Sequence, residues 1–296
     1  YLVGDPSADM PMLLTGEMHA KLLSYYNLDK PVGQQYIDYL TDLVHGDLGW
    51  SIYYNAPVVE VILGRLKWTA LLMGTATVIY VALGIVLGAL SAWCRGTKTD
   101  VGLLVTLFSL GSWPPFFLAM LLIILFSVKL GLFPIGGAQD PMLTNADGWE
   151  QFKDILRHLC LPALSLVLTH MSGVYLLMRN SMLSVLEGDY IRTARSKGMR
   201  EWRVLSRHAL PNALLPIITM IAMRFGFMIM GTMFVEVVFA YPGMGTMIYE
   251  ASMARDYPLM QGAFLLTMVF VLGFNLVADL LYGRLDPRMR RSACAC

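Results

Sequence analysis

The sequence predicts an all-α integral membrane protein, a multi-spanning helical bundle with five spanning helices in this chain. Three observations carry that expectation. Of 296 residues, 56% are hydrophobic and 15% charged, whereas a soluble globular chain carries about 25% charged residues. Two stretches, Trp68 to Cys94 and Val101 to Val128, hold no Asp, Glu, Lys, Arg or His. As helices they would reach roughly 40 Å, more than the bilayer's hydrocarbon core of about 30 Å. The basic residues, finally, cluster in segments that alternate along the chain with cation-poor ones.

The spans are drawn at about 66–94, 103–129, 160–183, 212–238 and 258–282. The first two are the uncharged runs. Trp113-Pro-Pro115 is expected to bend the second, because proline removes a backbone donor. The fourth is interrupted by Arg224 and Glu236, and the fifth carries Asp279 near its end, where pairing with Arg284 is expected. Residues 1–64 precede the spans as a polar-faced region with eight acidic residues and two lysines. Helical periodicity covers Gly16–Tyr26 and Val32–Leu43 within it, separated by an Asp-Lys-Pro turn. The division is therefore 1–64, a membrane domain at 65–285 that includes the polar segment 187–211, and a tail at 286–296.

Loops rich in Lys and Arg stay on the cytoplasmic side. Arg95–Asp100 holds two basic residues, Arg179–Arg207 seven, and the tail from Gly283 four. Segments 1–64, 130–157 and 240–257 are poorer in cations. Five helices threaded through this alternation place residues 1–64 outside and the C-terminus in the cytoplasm. No signal peptide is visible at Tyr1, so a further spanning helix is expected to precede this sequence. Cys94 and Cys160 fall at opposite faces and Cys294 and Cys296 end the chain, a pattern without disulfide or metal-ligand spacing.

The most informative stretch runs Glu187-Gly-Asp-Tyr-Ile-Arg-Thr-Ala-Arg-Ser-Lys-Gly198 and continues to Leu210-Pro211. It reads as a helix, a glycine turn at Gly198 that takes positive φ, a second helix, and a proline opening the next span. Ala194 would let a partner surface approach closely, and Trp202, Val204 and Leu205 would supply an apolar face. A loop held only to anionic lipid headgroups requires neither Gly198 nor Leu210-Pro211.

Here the chain resembles permease subunits of binding-protein-dependent ATP-binding-cassette importers. Their signature reads Glu-Ala-Ala, three residues, Gly, nine residues, Ile, one residue, Leu-Pro. Ala194, Gly198, Leu210 and Pro211 match in register, while Arg192, Thr193 and His208 depart from it. Those departures resemble the dipeptide, oligopeptide and nickel branch. Gly4-Asp-Pro6, Leu28-Asp-Lys-Pro31, His45-Gly-Asp-Leu-Gly49, Phe239-Ala-Tyr-Pro-Gly243, Arg255-Asp-Tyr-Pro258 and Asp286-Pro-Arg288 look like its landmarks.

The resemblance implies a fold of the type I importer kind in the bacterial cytoplasmic (inner) membrane. It also implies that 187–211 is a coupling helix seated on an ATPase, with Tyr190, Ala194, Lys197, Gly198, Trp202, Leu205, Leu210 and Pro211 as its contact residues. The implied partners are a second permease, two ATPase subunits, an extracytoplasmic substrate-binding protein and membrane lipid, with no nucleic acid. The chain has no Gly-x-x-x-x-Gly-Lys-Ser/Thr loop, so ATP and magnesium belong to the partner subunits and the chain itself binds no cofactor and is no enzyme.

Charges at membrane depth usually face a bundle interior or a water-filled path. Arg224, near mid-membrane without an evident partner, reads either as a path residue attracting a peptide carboxylate or as half of an ion pair with the second permease. Glu236 reads as the anchor of the Tyr241-Pro-Gly243 turn, with substrate contact along the path as the second reading. Asp47 reads as a turn-capping carboxylate on the surface that receives the binding protein. The 21 methionines read as gap fillers between helices rather than soft-metal ligands, and the histidines show no metal-ligand spacing. A peptide is the expected solute, with nickel or a metal chelate as the rival. An intramembrane hydrolase is disfavoured because Ser172 and His170, two residues apart on one helix, do not face each other. An ion-coupled carrier would leave segment 187–211 without a purpose.

Overall fold

The computed structural model describes residues 31–143, 147–226 and 228–285. The Gly16–Tyr26 helix, Gly4-Asp-Pro6 and the tail at 286–296 lie outside them. Helix α1 (Val32–Val44) follows the periodicity read over 32–43. A short antiparallel hairpin, β1 (Trp50–Ser51) and β2 (Ala56–Pro57), pairs Trp50 with Pro57 and Ser51 with Ala56.

Helix α2 (Val58–Trp93) begins before the predicted position 66. Glu60, Arg65 and Lys67 end the uncharged run but not the helix, which starts where Pro57 leaves extended backbone. Helix α3 (Lys98–Gly111) is capped by Thr97, whose Oγ1 accepts the Asp100 amide at 3.4 Å. Helix α4 (Pro115–Leu122) runs on into a π-helical stretch, Ile123–Lys129. The second predicted span is thus not one straight helix, because α3 and the Pro115–Lys129 stretch meet at 93°. Pro114 and Pro115 lack the amide hydrogens that would carry the ladder through the corner. Helix α5 (Gly148–Leu186) also starts ahead of its predicted boundary at 160, since its first turns are charged.

Beyond α5 lie α6 (Asp189–Ser196), α7 (Glu201–Val204), a π-helical turn at Leu205–Ala209, and α8 (Leu210–Ala213). Within the predicted fourth span the described residues are helical as α9 (Leu215–Gly226) and α10 (Met228–Val238), on either side of position 227, which lies outside the described residues. Helices α11 (Met244–Met253) and α12 (Tyr257–Leu285) complete the described chain. Among the described residues, α2, α5 and α12 are long and apolar enough to cross a membrane, and the bent α3–α4 pair makes a fourth if counted as one span.

The core is built on α2 and α5, which run parallel. Gly84 and Gly88 form a small-xxx-small seam: a Cβ at Gly84 would stand 2.7 Å from Val174 Cβ, and one at Gly88 would stand 2.7 Å from Met178 Cβ. Leu72, Tyr80, Leu166, Met178 and Met182 are fully buried around it. One end of the bundle, the basic end, gathers residues 94–100 and 187–211, where Arg95 pairs with Glu187 at 3.2 Å. The other, the hairpin end, gathers β1–β2, the loop 130–140 and residues 239–256, joined by Gly137 N–H to Phe239 O at 2.8 Å. The segments group as the alternation of cation-rich and cation-poor loops predicts.

Candidate functional site

At the basic end, α6 ends in a glycine turn. Gly198 takes φ +71°, its amide bonds Arg195 O at 2.9 Å, and Met199 N–H reaches back to Ala194 O at 3.4 Å. This pair of bonds is the Schellman motif, which satisfies the last carbonyls of a helix. Arg195 then reaches across the turn to Glu201 with bonds of 3.1 and 3.3 Å, fixing α7 against α6. A Cβ at Gly198 would meet nothing within 4 Å. The glycine is therefore there for backbone conformation and not for space within this chain.

Ile191, Ala194, Val204 and Ala209 turn inward into the cluster that includes Met182. This corrects two expectations. Ala194 is 6% exposed, so its small side chain serves the chain's own packing and offers no seat to a partner. Val204 is fully buried while Trp202 is 73% exposed, so the two do not form one apolar face, and Leu205 is only half-buried. Of the predicted contact residues, Tyr190, Lys197, Gly198, Trp202 and Pro211 are exposed and Leu210 is half-buried.

Next to this segment lies a buried polar cluster that the sequence reading passed over. Asp100 receives Arg179 Nε and Nη2, both at 2.9 Å, together with the Ser91 hydroxyl. The available signal was an aspartate closing one uncharged run and an arginine on an otherwise apolar helix, both at the same predicted membrane end.

At the hairpin end, Glu236 is fully buried. Its Oε1 accepts Thr69 Oγ1 at 2.7 Å and Thr232 Oγ1 at 2.9 Å, and its Oε2 accepts the Gly245 amide at 2.7 Å and the Thr246 amide at 3.4 Å. Glu236 is thus the anchor of the turn at 241–246, and the reading of it as a path residue is corrected: its oxygens are occupied from within. Asp256 plays a similar part, accepting Ser51 Oγ at 2.6 Å, Tyr53 N at 3.0 Å and Leu259 N at 3.2 Å. It ties the hairpin to the start of α12. Tyr54, whose hydroxyl bonds Glu250, is pushed above the usual phenol range by burial and by that bond. Asp47 caps its own loop by accepting Gly49 N–H at 2.8 Å and is exposed.

Arg224 of α9 is not alone: its Nη1 lies 3.4 Å from His170 Nδ1 on α5. Arginine has no acceptor, so in this contact the imidazole nitrogen is the accepting side. The His170 ring in turn lies 5.9 Å from that of Tyr80. Asp279 and Arg284 have side chains outside the described ones. Among the described residues, no group of His, Cys, Asp and Glu is placed to hold a metal ion.

The chain is 38% identical to the dipeptide transport system permease protein DppB of Escherichia coli K12, covering 94% of this chain and 86% of that one. It is 39% identical to the oligopeptide transport system permease protein AppB of Bacillus subtilis 168, over 91% and 84% of the two chains. Among solved structures it resembles a chain of the inward-facing MetNI methionine ABC transporter, with a TM-score of 0.60 at 14% identity over 77% of this chain and 97% of that one. An amino acid ABC transporter with histidines gives 0.56 at 16% identity over 76% and 94%. These two establish the fold. The model of the binding-protein-dependent transport system inner membrane component matches residues 84–291, and to that family this multi-pass membrane chain belongs.

Proposed function

We propose that this chain is one permease subunit of an ATP-binding-cassette importer for di- and oligopeptides. The observation that carries the reading is segment 189–204, a helix–glycine–helix knuckle at the basic end with Tyr190, Lys197, Gly198 and Trp202 turned outward. Its inner face is spent on the chain's own core, and its outer face is the seat for an ATPase subunit. Two ATPase subunits, a second permease and an extracytoplasmic binding protein complete the machine. The basic end lies in the cytoplasm, where cation-rich loops are retained. ATP and magnesium act on the partners, and closure of the ATPases moves the permeases as rigid bodies between inward- and outward-open states.

Peptide is favoured over nickel by the names of the relatives and by Arg224. That guanidinium faces the His170 imidazole and, among the described residues, has no carboxylate partner. A guanidinium there suits a peptide carboxylate and would repel a bare cation.

The test is ATP hydrolysis by the assembled complex in lipid nanodiscs, its binding protein loaded in turn with dipeptide, longer peptide and nickel chelate. Stimulation by peptide alone is expected. Stimulation by nickel chelate alone transfers the reading to the metal branch, and failure of any ATPase to associate ends the importer reading.

A further inference from the structure

The buried cluster at Asp100 joins more of the chain than a local cap needs. Asp100 is 3% exposed, and Arg179 meets it in a two-pronged bond. Ser91 of α2 bonds the same carboxylate and lies 2.7 Å from Tyr175 Oη on α5. The Gly96 amide donates to Oδ2 at 3.0 Å. One carboxylate thus pins α2, the α2–α3 corner, α3 and α5. Burying two charges is unfavourable unless they are paired and hydrogen-bonded, and a buried pair adds little net stability over apolar packing.

The packing on either side extends the constraint. Towards the hairpin end, α2 and α5 touch backbone to backbone at Gly84 and Gly88, and a Cβ at Gly111 of α3 would stand 2.6 Å from Ser172 Cβ of α5. These seams resist sliding, while the ion pair fixes rotation about them. Towards the basic end, α5 ends at Leu186 and α6 begins at Asp189, so segment 187–211 is attached without a flexible linker. The exposed Arg95–Glu187 pair repeats the connection at the surface.

We propose that the Asp100–Arg179 pair is the clamp that makes α2, α3 and α5 a single lever. The clamp delivers displacement of segment 187–211 to His170, the partner of Arg224, roughly 25 Å further along α5. The inference rests on the importer reading. Arg179 and Asp100 are positioning residues in this role: they touch neither the solute nor ATP, and they act through the rigidity of α5.

The complex, with its ATPase partners and loaded binding protein, is reconstituted in liposomes, and peptide uptake is measured per ATP hydrolysed. The wild type is the control for the reading itself, since absence of peptide-stimulated uptake there overturns the peptide-importer function and not the clamp. With a working wild type, Asp100→Asn is expected to lower complex yield, because the buried guanidinium loses its counter-charge, and in the complexes that assemble to lower uptake per ATP by about tenfold with basal hydrolysis within about twofold. Arg179→Lys keeps the charge but loses the planar fork and should lower the ratio about threefold. A purely structural role would reduce yield and leave uptake per ATP in the surviving complexes unchanged. An unchanged ratio in both variants overturns the clamp. If Asp100→Asn does not assemble, Arg179→Lys decides alone: a lowered ratio supports the clamp and a wild-type ratio overturns it.

Discussion

At the hairpin end, Glu236 and Asp256 are held by neutral donors: backbone amides of nearby turns, and hydroxyls from other elements. At the basic end, Asp100 is held by a guanidinium from a helix distant in sequence. Each of the three is buried, but the partners differ in kind. Glu236 and Asp256 each join a turn to a segment distant in sequence through neutral donors, Thr69 of α2 and Ser51 of the hairpin, so they fix the path of the chain at that end without a buried ion pair. A charged partner on a long helix ties that helix to another, so Asp100 fixes how large elements sit together. The surfaces differ too: the knuckle at 189–204 spends its apolar residues inward and leaves Trp202 outside. Damage at the hairpin end should therefore register as lost stability, and damage at the basic end as lost association or coupling.

The largest effect on stability is expected from Glu236→Ala. Removing the carboxylate leaves the buried Thr69 hydroxyl and the Gly245 amide without their acceptor, at about 1–3 kcal/mol for each buried unsatisfied group. Partial relaxation brings the expected total to about 4 kcal/mol. The check is the melting temperature of the purified complex in detergent and the yield of inserted protein. A variant that melts like the wild type but no longer transports would return Glu236 to the path and break the contrast between the ends.

Asp256→Asn should cost less, about 1–2 kcal/mol, because the amide keeps one acceptor and loses the second. The hairpin at 50–57 is where the loss should appear, as faster cleavage by added protease at loop 46–57 with little change elsewhere. Uniform cleavage throughout the chain would mean that Asp256 supports the whole bundle, and that the hairpin end is not a set of locally anchored turns.

Much of the architecture was legible because the bilayer imposes it. Uncharged runs long enough to span, and cations sorted to alternate loops, mark spans and their grouping before any packing is known. Helix ends were less legible: α2 and α5 extend beyond their apolar runs because charge marks where the hydrocarbon stops and not where hydrogen bonding stops. The corner at Pro114–Pro115 was readable as a bend, but its size of 93° depends on what α3 and α4 pack against. Gly198 was readable because positive φ has a residue preference. Ala194 and Val204 were misread, since a single chain's periodicity cannot say which face of a short amphipathic helix its own core takes. Asp100 and Arg179 are 79 positions apart, and His170 and Arg224 are 54 apart; neither pairing has a local spacing to betray it.

Gly198→Trp sharpens the comparison from the other end. Its Cβ would meet open space, so the fold bears only the cost of a left-handed side-chain residue, about 1–2 kcal/mol. The protein should insert and melt within a few degrees of the wild type, yet fail to co-purify with the ATPase subunits. Retained ATPase association with full transport would show that the knuckle is not the seat, whatever the rest of the machine does.

Trp202→Ala should have the smallest effect on the fold. The ring is 73% exposed, and truncating it opens no cavity, so a stability change within about 0.5 kcal/mol is expected. Its effect should appear in binding. A large exposed aromatic is the kind of residue that becomes an interface hot spot, where truncation costs about 2 kcal/mol or more. That corresponds to a roughly thirtyfold weaker affinity for the ATPase, measured by titrating the ATPase onto permease complexes in nanodiscs. The same variant separates two readings of an exposed tryptophan in a membrane protein. If Trp202 instead rests in the headgroup layer, ATPase affinity stays at the wild-type value, and quenching of its fluorescence by brominated lipid is what the substitution removes. An affinity loss of that size without a brominated-lipid signal in the wild type places the ring against the partner, on the outer face that the inward turn of Ile191, Ala194 and Val204 leaves to it.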